Sequence, residues 1–144
     1  MSGFKQYSEK TRDDFHTIYL DRRAELEKLV KAEQAKKADN HALIKAYQKR
    51  ILILDLSIRL VYNTNWLSEQ KVFHLDRLAG QLNSPTADKE AKEVAAINIH
   101  RIRKMNNCKK CFERGFTAIN ISMGELSICN CAEKTLDIFL VQDV

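Results

Sequence analysis

Cys108-Lys-Lys-Cys111-Phe-Glu-Arg-Gly115-Phe-Thr-Ala-Ile-Asn-Ile-Ser-Met-Gly124-Glu-Leu-Ser-Ile-Cys129-Asn-Cys131 contains all four cysteines of a 144-residue chain. Two tight cysteine pairs separated by a short segment form a pattern in which four thiolates converge on one ion. Structural zinc takes four ligands in a tetrahedron, commonly from cysteines paired in this way. The stretch is therefore read as a structural zinc site formed by Cys108, Cys111, Cys129 and Cys131. Between the pairs, Phe116 to Ser122 and Leu126 to Ile128 are strand-like around Met123-Gly124-Glu125. The spacing predicts a β-hairpin that returns Cys129 beside Cys111. On an extended strand, Cys129 and Cys131 would point their thiols to the same face, as two ligands of one ion require.

Two disulfides are the competing use of four cysteines, and they need an oxidising compartment. The opening Met1-Ser-Gly-Phe4-Lys5-Gln6 has no apolar region of a secretory signal. No apolar run exceeds four residues, the length of Ile51-Leu-Ile-Leu54, which is too short to cross a bilayer. The expectation is a reduced, cytoplasmic setting with no membrane partner. Four thiolates also suit an iron-sulfur cluster or a redox dithiol. A catalytic zinc keeps an open position and usually takes His or a carboxylate as ligand. His100 is the nearest such group before Cys108, and it reads as a residue on a helix face.

With its hairpin, the segment resembles the zinc-ribbon class of modules. Cys108-Lys-Lys-Cys111-Phe-Glu113-Arg-Gly115 is also similar to one half of the cysteine-rich repeat of DnaJ-type chaperones, C-x-x-C-x-G-x-G, with Glu113 in place of the first glycine. The second pair departs further, being C-x-C. The resemblance implies a metal knuckle and does not extend to chaperone activity.

Outward from this segment, glycine and proline are scarce. Only Gly3 precedes Gly80, and Pro85 is the sole proline, so the first hundred residues read as helical. A first helix is predicted from Ser8, its N-cap, to Ala38, with a stripe of Phe15, Ile18, Tyr19, Arg22, Leu26, Leu29 and Val30. Asp39 or Asn40 caps a second, whose stripe is Leu43, Tyr47, Ile51, Leu54, Ile58 and Val61. This helix is expected at the centre of the body. Alternation in Leu54-Asp-Leu56-Ser-Ile58-Arg-Leu60 also fits a strand, but the absence of a breaker favours helix. A third helix carries Leu67, Val72, Leu75 and Leu78 up to Gly80. Ser84-Pro85 starts a fourth, with Ala87, Ala91, Ala95, Ile99 and Ile102 on one face, ending at Asn106-Asn107. After Cys131, Leu136-Asp-Ile138-Phe-Leu140-Val141 alternates as a third ribbon strand, with a short helix as the alternative. The expected fold is mostly α: a three- to four-helix body over residues 1–106 and a small β zinc ribbon over 107–144.

The net charge is +5 and the isoelectric point about 9.0. From Val94 to Phe112 lie five cations, Arg101, Arg103, Lys104, Lys109 and Lys110, and no Asp or Glu. Such a segment complements a helix C-terminus, and it also suits phosphate contacts, with Phe112 and Phe116 as the stacking candidates. No nucleophile with its base, carboxylate pair or phosphate-binding glycine loop is present. His16, His41, His74 and His100 are scattered, and Asp13, Asp14 and Asp21 read as a solvated face. The expectation is a small, non-enzymatic, zinc-binding regulator. It would bind nucleic acid, or a nucleic-acid-processing machine such as a polymerase, through Arg101, Arg103, Lys104, Lys109 and Lys110. The alternative is a protein-protein adaptor or inhibitor of the phage or mobile-element type, with zinc purely structural.

Overall fold

Ser8 starts the first helix as its sequence suggests: its Oγ accepts from the Thr11 backbone N–H, and α1 runs Glu9–Gln34. This is a computed structural model, and it describes residues 5–37, 40–105, 108, 110–111 and 114–140. The elements that follow are α2 (His41–Tyr62), α3 (Trp66–Leu82), α4 (Lys89–Arg103), β1 (Phe116–Asn120), β2 (Glu125–Ile128), α5 (Asn130–Glu133) and α6 (Leu136–Leu140). The fold is mostly α, with one small two-stranded antiparallel sheet beside the cysteines.

The segment from Leu54 to Leu60 is helical, and the strand reading of it does not hold. Leu54, Leu56, Ser57, Leu60 and Val61 are all buried, so α2 is covered on several sides and forms the axis of the core. Asn40 occupies the N-cap of α2, but its side chain makes no capping bond there. Its Nδ2 donates instead to the Glu33 carbonyl at 2.9 Å, closing the α1–α2 turn. Asp39, Ala38, Asn106 and Asn107 lie outside the described residues.

Several other expectations are corrected. Gly80 does not end α3, which continues to Leu82; nothing lies near the position a Cβ would take there, so Gly80 costs only its poor helix propensity, about 1 kcal/mol. Pro85 is not in the first turn of α4. Asp88 is a stronger N-cap, with a carboxylate that accepts from Ala91 N–H at 2.7 Å, and Ser84-Pro85 falls in the preceding turn. Leu29, Leu43 and Val72, assigned to buried stripes, are exposed. Leu136–Leu140, the described part of the segment read as a third strand, is the helix α6, the alternative reading, with Leu136, Ile138 and Phe139 buried; Val141 lies outside the described residues.

Hairpin and helices share one core. Phe15 of α1, Leu56 and Leu60 of α2, Leu67 and Leu78 of α3, and Ile99 and Ile102 of α4 pack with Phe116, Leu126, Ala132, Leu136 and Phe139 from beyond the first cysteine pair. Polar groups fix the register between them. Ser57 Oγ donates to the Ile53 carbonyl and accepts from the Leu126 N–H at 3.1 Å, and Arg50 pairs with Glu125. The hairpin turns through a 3-10 segment, Ile121–Met123, to Gly124 at φ +62°. A Cβ on Gly124 would lie 2.8 Å from the Tyr19 backbone nitrogen, so glycine lets the turn approach α1 that closely. Among the described residues, no helix is long and apolar enough to cross a membrane.

Candidate metal centre

Two backbone features bring the cysteine pairs together. A hydrogen bond from Cys129 N–H to the Gly115 carbonyl, at 2.8 Å, joins the residue leaving β2 to the knuckle that precedes β1. The register Phe116 opposite Ile128, with a bulge before Ala118, then aligns the strand ends. The four sulfurs converge within 4.8 Å of one another. Cys108 Sγ lies 3.6 Å from Cys129 Sγ, and Cys111 Sγ lies 3.5 Å from Cys131 Sγ. These separations are far too long for disulfide bonds. They approach the edge of a tetrahedron with metal–sulfur bonds of about 2.3 Å, which is about 3.8 Å.

Cys129 and Cys131 do not reach this arrangement on a strand. Cys129 is the N-cap of α5 and Cys131 lies in its single turn, so helical rotation rather than strand alternation aims the two thiols. Cys111 and Cys129 are buried, whereas Cys108 and Cys131 are partly open. Hydrogen bonds from the backbone of Cys111 and Lys110 hold the Cys108 thiol down to about 6. Burial pushes Cys111 up, and burial together with the neighbouring thiols pushes Cys131 up. In the absence of a cation, this site cannot carry four thiolates; loading a metal must release protons. The cluster can hold a metal ion, and its all-sulfur donor set suits a soft or borderline one. Among the described residues it is the only such convergence of His, Cys, Asp or Glu. His100 is exposed on α4 and takes no part.

The basic segment divides by role. Arg101 turns inward: Nη2 donates to Asp137 Oδ1 and to the Lys134 carbonyl, both at 2.6 Å, and Nη1 to Asp137 Oδ2 at 2.9 Å. It thereby clamps α4 to the segment that carries the second cysteine pair. Arg103, Lys104 and Lys110 are exposed, and Lys109 lies outside the described residues. A cavity of about 640 Å³ opens at the cluster, lined by Cys108, Cys129 and Cys131 and by Arg101, Lys104, Lys110 and Lys134, with no carboxylate among the described lining residues. Lys134 was missed by the sequence reading because it falls outside the Val94–Phe112 window; only its place three residues after Cys131 signals it. Of the aromatic candidates, Phe116 is buried under Arg114, whose guanidinium lies 4.9 Å from the ring centre, and Phe112 is outside the described residues.

The acidic residues near His16 make no second site. Asp14 pairs with Lys10, and His16 lies against Tyr19 and Tyr62. Comparison with protein-family models, curated proteins and solved structures gives no match to this chain.

Proposed function

We propose that this chain is a non-enzymatic regulatory protein in which Cys108, Cys111, Cys129 and Cys131 hold a structural zinc ion. The ion stiffens a basic face that binds nucleic acid or a nucleic-acid-associated protein. The carrying observation is the cavity at the cluster, which gathers Arg101, Lys104, Lys110 and Lys134 with no acid among the described lining residues. Zinc fits the donor set because four thiolates satisfy its tetrahedron and leave no open position for water, which also argues against a catalytic metal. Arg101 serves this face as a positioning residue, while Arg103, Lys104, Lys110 and Lys134 meet phosphates.

The test is a salt titration. Affinity for mixed-sequence DNA or RNA should fall steeply with added salt, because neutralised phosphates release counterions. Absence of binding at low salt overturns this reading. The adaptor alternative draws on a different observation: Val72 and Phe73 on α3, and Val94 and Ile97 on α4, are large apolar side chains left in solvent, and such side chains suit protein contacts.

A further inference from the structure

Residues 20–51, the C-terminal part of α1, the turn and the first half of α2, give nothing to the shared core. Leu26 and Val30 are buried within this stretch and Leu54 just beyond it, yet none of the three belongs to that core. At the root of the stretch, the Asp55 carboxylate accepts from Tyr19 Oη at 2.7 Å and from Arg23 Nε at 2.9 Å, tying α1 to α2. At its far end, no described residue from Lys31 to Ile53 is buried. The two helices therefore stand out from the body as an arm.

The charge of the chain is concentrated on this arm. From Lys28 to Arg50 the sequence holds seven cations and two acids, Glu33 and Asp39. That surplus of five equals the formal net charge of the whole chain, so the remaining residues balance, 17 cations against 17 acids. Three of the seven cations are engaged: Lys36 pairs with Glu33 at 3.0 Å, Lys49 with Glu133 at 2.5 Å and Arg50 with Glu125 at 2.6 Å. Lys28, Lys31, Lys37 and Lys45 are exposed and pair with no carboxylate among the described residues. Like charges gathered on one element raise the local potential and favour a polyanion.

Neighbouring side chains select among polyanions. Every Lys or Arg from Lys28 to Lys49 is a lysine, a compact point charge without the planar fork through which arginine gives bidentate recognition. Of Phe, Tyr and Trp, the same stretch has Tyr47 alone, and that ring is half-buried; a single strand would find no stacking platform. Leu29 and Leu43 are its only large exposed apolar side chains, too few for the continuous apolar face that enters a bilayer. We propose that the free end of the α1–α2 arm is a second basic surface, built from none of the residues at the metal centre, that binds the phosphate backbone of a nucleic-acid duplex without reading its sequence. It stands whether or not the face at the cysteines binds nucleic acid.

The experiment uses the zinc-loaded full chain. Fluorescence anisotropy follows two labelled blunt duplexes of unrelated sequence, and one of their single strands, over a range of salt concentrations. Both duplexes should bind alike and more tightly than the single strand. Lys31→Gln together with Lys37→Gln should weaken both duplexes about tenfold and reduce the salt slope by about 1.8, the size of two lost phosphate contacts. Lys10→Gln, a change to an exposed lysine of α1 outside the arm that pairs with Asp14, should alter neither. As a readout that needs no variant, a saturating duplex should protect Lys31 and Lys37 of the parent protein from amine acylation and leave Lys10 reactive. Unchanged affinity and slope in the double variant, with Lys31 and Lys37 still reactive, would overturn the arm as a binding surface while leaving the face at the cysteines in place. Tighter binding of the single strand, a preference between the two duplexes, or capture of anionic vesicles with no duplex bound at low salt would each overturn the proposed partner.

Discussion

Placing a methyl group on Gly115 tests how tightly the first cysteine knuckle is seated on the helical body. Gly115 has φ +91°, and a Cβ there would lie 2.5 Å from Leu67 Cδ2, 3.4 Å from Ala132 Cβ and 3.8 Å from Leu60 Cδ1. Leu67 and Leu60 are at most 1% exposed, so neither can swing into solvent. For Gly115→Ala, the left-handed backbone costs about 1–2 kcal/mol, and overpacking against Leu67 about 1–3 kcal/mol. The smaller conformational freedom of alanine in the unfolded chain returns about 0.4–1 kcal/mol. The net expectation is a loss of roughly 2–4 kcal/mol, read by urea unfolding followed by circular dichroism on metal-loaded protein. Leu67→Ala alone should cost about 2–5 kcal/mol. The double variant should lose at least about 1 kcal/mol less than the sum, because the second change makes room for the first. A loss under about 0.5 kcal/mol for Gly115→Ala, or strict additivity in the cycle, would refute this packing of knuckle on helix.

Other outcomes follow from the same contacts. Cys111→Ser should abolish stoichiometric zinc binding and loosen the hairpin and α5, since metal binding supplies folding free energy to such modules; metal analysis and amide exchange would show it. Zinc affinity should fall steadily as pH is lowered through the neutral range, because the raised Cys111 and Cys131 thiols must release protons on loading, and fall more steeply below about 6, where Cys108 also takes up its proton; a competition titration with a chelator at several pH values checks this. The Arg101 guanidinium holds the Asp137 carboxyl below its ordinary value of 3.8. The pair therefore stabilises the fold above about pH 4, and this contribution fades as pH falls through the lower folded value. Asp137→Asn should cost about 0.5–1 kcal/mol at neutral pH, modest because Asp137 is largely solvated, and should cost nothing in acid. A chain ended at Met105 loses Phe116, Leu126, Leu136 and Phe139 from the shared core and should melt without cooperativity, contrary to the autonomy expected of residues 1–106; a sharp thermal transition would restore that expectation.

Long-period features were legible in the sequence, and short ones were not. The spacing of Phe15, Leu26 and Val30 and the density of apolar residues around Leu54 identify α1 and α2, because two dozen residues sample many helical turns. Leu136 to Leu140 spans little more than one turn. There, alternation and helical spacing place apolar residues almost alike, and Thr135, whose carbonyl accepts from the Ile138 and Phe139 N–H groups, decides for helix. Ser84-Pro85 misled for a related reason: both residues suit a turn as well as a helix start, and the Asp88 carboxylate won the cap. The cysteine spacing identified the cluster but not its geometry. That Cys131 arrives on a helical turn depends on α5, which four residues of sequence do not announce. Arg101 looked like its cationic neighbours, and its partner Asp137 lies too far along the chain for local reading to pair them.

Metal content measures the central claim most directly. Protein purified from cells without added metal, examined by elemental analysis and native mass spectrometry, should contain one zinc ion per chain, with its four thiols resistant to alkylation until a chelator or denaturant is added. A zinc content near zero, with four freely reactive thiols in the folded protein, would contradict the account.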